Sequence, residues 1–120
     1  MNNRELLEAA AKAYGLTGHR YADGVGMMAA YTPQDGFYGP WWSPLEDDGD
    51  AMRLKVKLHL IVGSYASFSS VSGTYTPNGY EVPEETIVWH HETGGDPCAA
   101  ERLAITRCAA AIPAATLMAR

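Results

Sequence analysis

The strongest constraint on the fold lies in the last third of this 120-residue sequence, where Gly94-Gly95-Asp96-Pro97 precedes an alanine-rich run. Aspartate is a preferred N-cap residue, and proline suits the first helical position because no backbone N–H is needed there. The run reaches Ile112, and Pro113 would end or kink a helix at that point. We therefore predict a helix that begins at Pro97 and extends towards Ile112.

The spacing of apolar residues along this helix predicts which side faces the core. The expected buried residues are Cys98, Ile105, Cys108, Ala109 and Ile112. Arg102 and Thr106 are expected to face solvent. Ten residues of helical rise would separate the two cysteines by about 15 Å, which is too far for a disulfide bond between them. We therefore expect two buried thiols in a reducing compartment.

A further helix is predicted at residues 2–14. Asn2 and Glu5 have the spacing of a capping box, in which the Asn side chain accepts a hydrogen bond from the first turn. Gly15 stands where a left-handed C-cap is wanted, so the helix should end there. Its apolar residues recur on one face at helical spacing: Leu6, Ala10, Ala13 and Tyr14.

Residues 52–60 fit two periodicities, and the pattern alone leaves both open. The strand interpretation rests on strict alternation of apolar and polar residues, with Met52, Leu54, Val56, Leu58 and Leu60 apolar. The helix interpretation rests on acidic residues at the position of a helix N-terminus, namely Asp47, Asp48 and Asp50. An apolar helical stripe also supports it: Ala51, Leu54, Leu58 and Ile61.

Three further segments are predicted to be strands. Residues 25–31 are apolar on both alternating faces, which is typical of a central strand covered on both sides. Residues 67–75 and 86–91 flank the turn signal Thr76-Pro77-Asn78-Gly79 and should pair antiparallel. Residues 32–44 contain too many prolines and glycines for a regular element and are predicted to form an aromatic loop with Phe37, Tyr38, Trp41 and Trp42.

Two blocks of the sequence resemble small tailed-phage and prophage proteins of the phage ABA sandwich type. Trp42-Ser43-Pro44-Leu45-Glu46-Asp47-Asp48-Gly49-Asp50-Ala51-Met52-Arg53-Leu54 resembles the W-x-P-x-x-D-D-G-D-A-x-R-L pattern of that group. Asp96-Pro97-Cys98-Ala99-Ala100-Glu101-Arg102-Leu103-Ala104-Ile105 resembles its D-P-x-A-A-x-R-x-A-I segment. Residues 4–10 also look like its opening helix, so the resemblance covers most of the chain and is weakest over 65–92.

The resemblance implies a fold and a setting, but no chemistry that transfers residue by residue. It implies a helix at 48–59, a strand around 60–65 and a protein encoded by a phage or prophage. Combined with the patterns above, it predicts a compact single α+β domain over residues 1–120. Three helices should pack on a small, mostly antiparallel β-sheet in the order α-β-α-β-β-β-α.

Charge and hydropathy disfavour two classes of partner. The formal net charge is −5, which argues against direct nucleic-acid binding by clustered Lys and Arg. No apolar run approaches the roughly 20 residues of a membrane span, so no membrane partner is expected. The first residues lack the basic and apolar blocks of a secretory signal. We therefore expect a cytoplasmic protein in the bacterial host cytosol.

The reactive residues fit structural roles better than catalytic ones. His90, His91, Cys98 and Cys108 lack the paired spacing of a structural zinc site. If His90 and His91 lie in a strand, they point to opposite faces and cannot join one cluster without a bulge. The acidic run at 46–50 lacks the ligand pattern of a calcium loop and fits helix capping. We expect no catalytic residue, metal site or cofactor, and an enzymatic role is disfavoured.

The aromatic loop and the paired histidines are the predicted binding residues: Tyr38, Trp41, Trp42, His90 and His91. Trp42 also has a structural interpretation, because a Trp before a proline can fill the edge of the core. The favoured function is a non-enzymatic phage or prophage accessory protein that binds a host or phage protein, and a homodimer is a candidate form of it. The alternative is a small-molecule or nucleotide binder, with hydrolytic activity, whose pocket lies near the aromatic loop. A purely structural homo-oligomer is a third hypothesis.

Overall fold

The computed structural model describes residues 2–15, 20–22, 26–28, 42–73 and 85–112. Its helices are α1 (Asn3–Tyr14), α2 (Asp48–Lys57) and α3 (Pro97–Ala110), with a short 3₁₀ helix at His90–Thr93. Its strands are β1 (Arg20–Ala22), β2 (Gly26–Met28), β3 (Leu60–Ser64), β4 (Phe68–Gly73) and β5 (Thr86–Trp89). The α+β class and the predicted order are confirmed, with β1 and the 3₁₀ helix as additional elements.

Helix α1 begins and ends where the sequence predicts. The Asn2 side chain accepts a hydrogen bond from the Glu5 backbone N–H at 2.8 Å, which satisfies a donor that the helix itself leaves unpaired. Gly15 ends the helix in the left-handed region, at φ 89°, where a residue without Cβ is favoured. One face of the helix is buried, from Leu6 to Tyr14, and it packs on α3.

The competing patterns at residues 52–60 resolve as helix α2 followed by strand β3. Asp47 caps α2 by accepting from the Asp50 backbone N–H at 2.8 Å, and Asp50 in turn accepts from the Ser43 backbone N–H and from Arg53. The hydrogen bond to Asp50 also raises the pKa of Arg53. The acidic run is thus used for capping. Leu54 is buried, whereas Met52 and Val56 are exposed. The alternation of apolar and polar residues at 52–60 therefore does not correspond to alternating buried and exposed side chains.

The apolar segment predicted as a central strand occupies a different position. Its described part, β2, pairs antiparallel with β1 in a two-stranded sheet, with Tyr21 opposite Met27. Among the described residues β2 thus has one strand neighbour and is not the central strand that was predicted. The apolar character of β2 has another source, because Met27 is almost fully buried and β2 contacts α1.

The larger sheet has the strand order β3-β4-β5 and is antiparallel throughout. The predicted pairing of the segments on either side of the 76–79 turn signal is confirmed as β4 with β5; the turn itself lies outside the described residues. One face of the sheet packs against α3 and buries Leu60, Val71 and Val88. Residues at alternate positions point to the opposite face.

Helix α3 is the central element of the core. It contacts α1, α2 and each strand of the larger sheet. Because it has neighbours on several sides, burial extends around much of its circumference. Its buried residues are Ala100, Ala104, Ile105, Thr106, Cys108 and Ala109, and all of them except Ile105 are small. Small side chains allow the surrounding elements to approach closely. Among the described helices, none is long and apolar enough to cross a membrane.

The single buried stripe predicted for α3 was partly wrong. Thr106 is fully buried rather than exposed, and its hydroxyl donates to the Arg102 carbonyl at 2.8 Å. Cys98 is exposed rather than buried, because it lies in the first turn of the helix. The Arg102 side chain is only 17% exposed and donates to the Leu45 carbonyl and to Asp48. The predicted burial of Ile105, Cys108, Ala109 and Ile112 is confirmed.

Candidate functional site

The structure places the predicted binding residues in different environments. Trp42 is fully buried and packs on Tyr14, with ring centroids 5.9 Å apart. The predicted role of Trp42 in binding is therefore corrected, because its side chain belongs to the core. This agrees with the structural interpretation that the sequence also allowed for Trp42. Tyr38 and Trp41 lie outside the described residues, so their predicted role stays a prediction.

The paired histidines belong to the 3₁₀ helix and not to a strand, which corrects the argument that they point to opposite faces of a sheet. The backbone N–H of His90 donates to the Ser67 carbonyl at 2.9 Å, the last hydrogen bond along the β4–β5 pair. His90 is half-buried and His91 is exposed. Both directly follow Trp89, the last residue of β5.

Three aromatic rings stack across the larger sheet at the same end. The rings of Tyr65 and Phe68 are nearly parallel, at 18°, with centroids 4.7 Å apart. The ring of Phe68 also contacts that of Trp89, with a centroid distance of 5.0 Å and a tilt of 52°. Strand register explains the meeting, because Phe68 is directly opposite Trp89 and the Tyr65 backbone N–H donates to the Phe68 carbonyl.

These rings belong to a wider apolar surface on the side of the sheet that faces away from α3. Tyr65 is 55% exposed and Trp89 is 45% exposed, whereas Phe68 is half-buried between them. Two isoleucines lie on the same side by strand alternation, Ile61 in β3 and Ile87 in β5, and are 54% and 42% exposed. We call Ile61, Tyr65, Phe68, Ile87 and Trp89 the aromatic face. No helix in the described part of the chain covers it.

The composition of the aromatic face is unusual for its position. The solvent side of an antiparallel sheet normally alternates polar residues with the buried ones. Here the solvent side of β3 and β5 carries Ile61, Ile87 and Trp89 instead. Contiguous exposed apolar patches on soluble proteins commonly mark interaction sites. The contiguous part here is the stack of aromatic rings, because Ser70 and Ser72 of β4 lie between Ile61 and Ile87 on the same side.

The edge of β5 that pairs with no other described strand lies next to the aromatic face and is partly closed. The backbone N–H of Trp89 donates to Glu92 at 2.8 Å, so this donor is occupied. That hydrogen bond, helped by Arg107 at 3.6 Å, lowers the pKa of Glu92 and keeps the carboxylate charged. Side chains that occupy edge donors disfavour the pairing of another strand. This end of the sheet therefore presents aromatic side chains beside an edge donor that is already occupied.

A separate cleft of about 260 Å³ opens between α2, α3 and β3. Its apolar lining comes from all three elements, namely Ala51 and Met52 of α2, Val62 of β3 and Ile105 of α3. Charged side chains also line it, namely Asp48, Lys55, Glu101 and Arg102, and so does the exposed thiol of Cys98. Among the described residues there is no group of three His, Cys, Asp or Glu that could hold a metal ion.

The chain was compared with protein-family models, curated protein sequences and solved structures, and none of the three comparisons found a match. The resemblance to the phage ABA sandwich group therefore rests on the residues quoted above.

The residues of the aromatic face were not predicted as a site from the sequence, although a signal was present. Ile61 and Gly63 alternate along β3, Tyr65 continues that alternation one residue beyond its end, and Ile87 and Trp89 alternate along β5. The alternation shows that residues within each strand share a side. It does not show that the two sets face solvent together, which depends on the register with β4 and on the position of α3.

Proposed function

We propose that this chain is a non-enzymatic accessory protein that binds a protein partner through the aromatic face. The observation that carries the proposal is the stack of Tyr65, Phe68 and Trp89 at one end of the larger sheet, in which the two outer rings are about half exposed. Tyrosine and tryptophan are enriched among the residues that dominate protein–protein binding, because they offer large contact areas with a polar group at one end. The resemblance to phage proteins supplies the setting, in which the partner is a host or phage protein.

The size of the aromatic face indicates its part in such a complex. Aromatic side chains bury about 150–250 Å² each, so Tyr65 and Trp89, each roughly half exposed, leave on the order of 200 Å² to be covered. At ~25 cal/mol per Å² this corresponds to about 5 kcal/mol of gross hydrophobic stabilisation. Association itself costs roughly 4–15 kcal/mol. The two rings would therefore act as the anchor of a larger interface rather than as the whole of it.

The chemistry of the aromatic face defines the partner surface. None of its five residues is charged, and only the Tyr65 hydroxyl and the Trp89 indole N–H offer hydrogen bonds. A complementary surface is apolar and presents an acceptor near the indole. Because the Trp89 backbone N–H is occupied by Glu92, the partner packs against side chains and does not extend the sheet at this position.

Photo-crosslinking from defined positions tests this proposal. A photoreactive phenylalanine analogue is placed at Ile87 on the aromatic face and, in a matched control, at Val56, which is apolar, 63% exposed and located on α2. We expect a crosslinked partner from position 87 and none from position 56 in host cells, with and without phage infection. Equal crosslinking from the two positions would contradict a specific surface.

The crosslinked protein is then purified and its affinity measured directly. Trp89→Ala is expected to weaken binding at least tenfold, as for an anchor residue, whereas Val56→Ala leaves the affinity unchanged. Sedimentation of the purified chain distinguishes a homodimer interface from an interface with another protein. The aromatic face is a homodimer interface if position 87 crosslinks only to another copy and Trp89→Ala lowers the mass in solution.

A further inference from the structure

We propose that Glu92 guards the edge of the larger sheet and keeps a second copy of this chain from pairing with β5. Such pairing would be made by the backbone at the strand edge and not by the side chains of the aromatic face. It therefore does not depend on the proposed protein-binding function. Three observations carry the proposal: the composition of β5, the direction of its backbone groups and the position of the Glu92 carboxylate.

Strand β5 has the composition of a segment that pairs readily with other strands. It consists of Thr86-Ile87-Val88-Trp89, and it contains no charged residue, proline or glycine. β-Branched and aromatic residues of this kind favour strands. Among the described strands β5 is an edge of the larger sheet, because it pairs with β4 alone. An uncharged edge strand is a template for pairing with another molecule, so natural sheets protect such edges.

The strand register shows which backbone groups of β5 point away from β4. The backbone N–H of His90 donates to the Ser67 carbonyl, so these two residues form a hydrogen-bonded pair. Hydrogen-bonded and non-hydrogen-bonded pairs alternate along an antiparallel ladder. Trp89 and Ile87 therefore occupy non-hydrogen-bonded positions opposite β4. Their N–H and C=O groups consequently point towards the edge of the sheet.

Two copies of β5 can form one antiparallel pair about a two-fold axis at Val88. Ile87 of each copy is then opposite Trp89 of the other, and each of these pairs exchanges two N–H···O=C hydrogen bonds. Half of the backbone hydrogen bonds between the copies need the N–H of Trp89. The side chains of Ile87 and Trp89 would also meet across the new strand pair, and aromatic–β-branched pairs stabilise sheets.

Glu92 withdraws the Trp89 donor from this edge. Its Oε2 accepts a hydrogen bond from the Trp89 backbone N–H at 2.8 Å, and its Oε1 lies 3.6 Å from the Arg107 guanidinium on α3. The two oxygens thus hold the carboxylate between the strand and the helix. A second copy that approached the same N–H would have to displace Glu92. Charged side chains at an edge strand are one way in which sheets avoid edge-to-edge pairing.

Substitution of Glu92 tests the proposal through self-association of the purified chain. Glu92 is exposed, so Glu92→Ala should fold, and it frees the N–H of Trp89. We expect this variant to self-associate about tenfold more tightly than the wild type in sedimentation equilibrium at neutral pH, because two more hydrogen bonds join the copies. Glu92→Gln keeps a side-chain oxygen that can accept from the N–H and should stay close to the wild type.

Glu85→Ala is the matched control, because it removes the same charge next to the other end of β5 and leaves the Trp89 N–H bonded to Glu92. It should self-associate no more tightly than the wild type. An equal gain with Glu85→Ala would overturn the proposal. So would a Glu92→Ala protein that has a lower free energy of unfolding but unchanged self-association, because Glu92 would then be a helix cap and nothing more.

Ile87→Pro distinguishes strand pairing from other kinds of self-association. Proline has no N–H, and edge strands tolerate it where the missing N–H points away from the sheet. Added to Glu92→Ala, Ile87→Pro should return self-association to the wild-type level, with the fold verified by circular dichroism. Ile87→Ala in the same background also loses the side chain but keeps the N–H, and it should retain most of the gain. Self-association that survives Ile87→Pro in a folded protein would contradict pairing through β5.

Trp89→Ala separates the strand edge from the aromatic face, since it removes the ring and keeps the backbone N–H. In the Glu92→Ala background it should leave self-association above the wild-type level. If Trp89→Ala abolished the gain and Ile87→Pro did not, the copies would be meeting through the aromatic face, and the proposed role of Glu92 would be wrong. Crosslinking of a different protein from position 87 is unaffected by either result, so the two proposals fail or succeed separately.

Discussion

The ring of Tyr65 lies over Gly63 on the exposed side of β3, so close that a Cβ on Gly63 would be 2.8 Å from the Tyr65 ring carbon Cε2. The glycine thus makes room for the ring that starts the aromatic stack. Because Tyr65 is exposed, its ring can move away from a larger residue, and the stacking with Phe68 is then lost.

This relationship predicts that the effect of Gly63→Ala on stability changes sign with residue 65. In the wild-type background we expect Gly63→Ala to lower the free energy of unfolding by about 0.5–1.5 kcal/mol, which is the typical contribution of an aromatic pair. In a Tyr65→Ala background the obstacle is gone, and Ala should stabilise the strand by roughly 0.5–1 kcal/mol relative to Gly. Urea denaturation of the four proteins measures both changes. The same sign in both backgrounds would show that Tyr65 does not constrain position 63.

The hydrogen bond from Trp89 to Glu92 predicts a pH-dependent contribution to stability. The pKa of Glu92 lies below its ordinary value of 4.5 in the folded protein, first because of the backbone N–H of Trp89 and then because of Arg107. A lowered folded-state pKa stabilises the protein above the unfolded-state pKa, and the stabilisation is lost as the pH falls through the folded-state pKa.

The corresponding measurement compares the wild type with Glu92→Gln by urea denaturation between pH 7 and pH 2. The advantage of the wild type should be greatest at neutral pH, should begin to shrink as the pH falls below about 5, and should level off once Glu92 is protonated in both states. A difference that stays constant over this range would mean that the carboxylate is not stabilised in the folded state.

The burial of Trp42 predicts that its substitution changes stability and not recognition. Its indole nitrogen has no hydrogen-bond partner within the described residues. Trp42→Phe therefore removes packing contacts but breaks no described hydrogen bond. We expect a cost of about 1–2 kcal/mol for Trp42→Phe and about 3–5 kcal/mol for Trp42→Ala, measured by denaturation. The folded Trp42→Phe protein should bind the partner with unchanged affinity. Loss of binding without loss of stability would restore Trp42 to the predicted site.

The two cysteines should react at very different rates. Cys98 is exposed, whereas Cys108 is buried and its thiol pKa is raised by burial. A chromogenic disulfide reagent should label one thiol rapidly in the native protein and the second only on unfolding. Cys98→Ser should remove the fast phase and leave the slow one. Rapid labelling of Cys98→Ser would show that the core around Cys108 opens readily.

Sequence reasoning succeeded where the signal is local. The caps at Asn2, Gly15 and Asp96 were identified from residue type alone, because a cap is satisfied by backbone groups within the next few residues. The antiparallel pairing of β4 and β5 was also predicted, from residues whose side chains favour strands on either side of a turn signal. For α2 the pattern was ambiguous, and the resemblance to phage proteins favoured the helix that the structure contains.

Sequence reasoning failed where burial depends on neighbours from distant parts of the chain. Helix α3 was expected to bury one stripe, but it packs between α1, α2 and the larger sheet, so Thr106 is buried as well. Cys98 fits the apolar spacing yet lies in the first turn of the helix, where it is exposed. No periodicity within one helix can report how many elements surround it.

The sequence by itself determined the class of the fold and the ends of its helices, since both follow from interactions a few residues apart. Only the tertiary structure decided which aromatic residues are available to a partner. Trp42 became part of the core because Tyr14 packs against it, whereas Tyr65, Phe68 and Trp89 came together on the surface through the β3–β4 turn and the register of β4 with β5. A side chain's exposure is a property of the elements packed around it, and these become neighbours only when the chain folds.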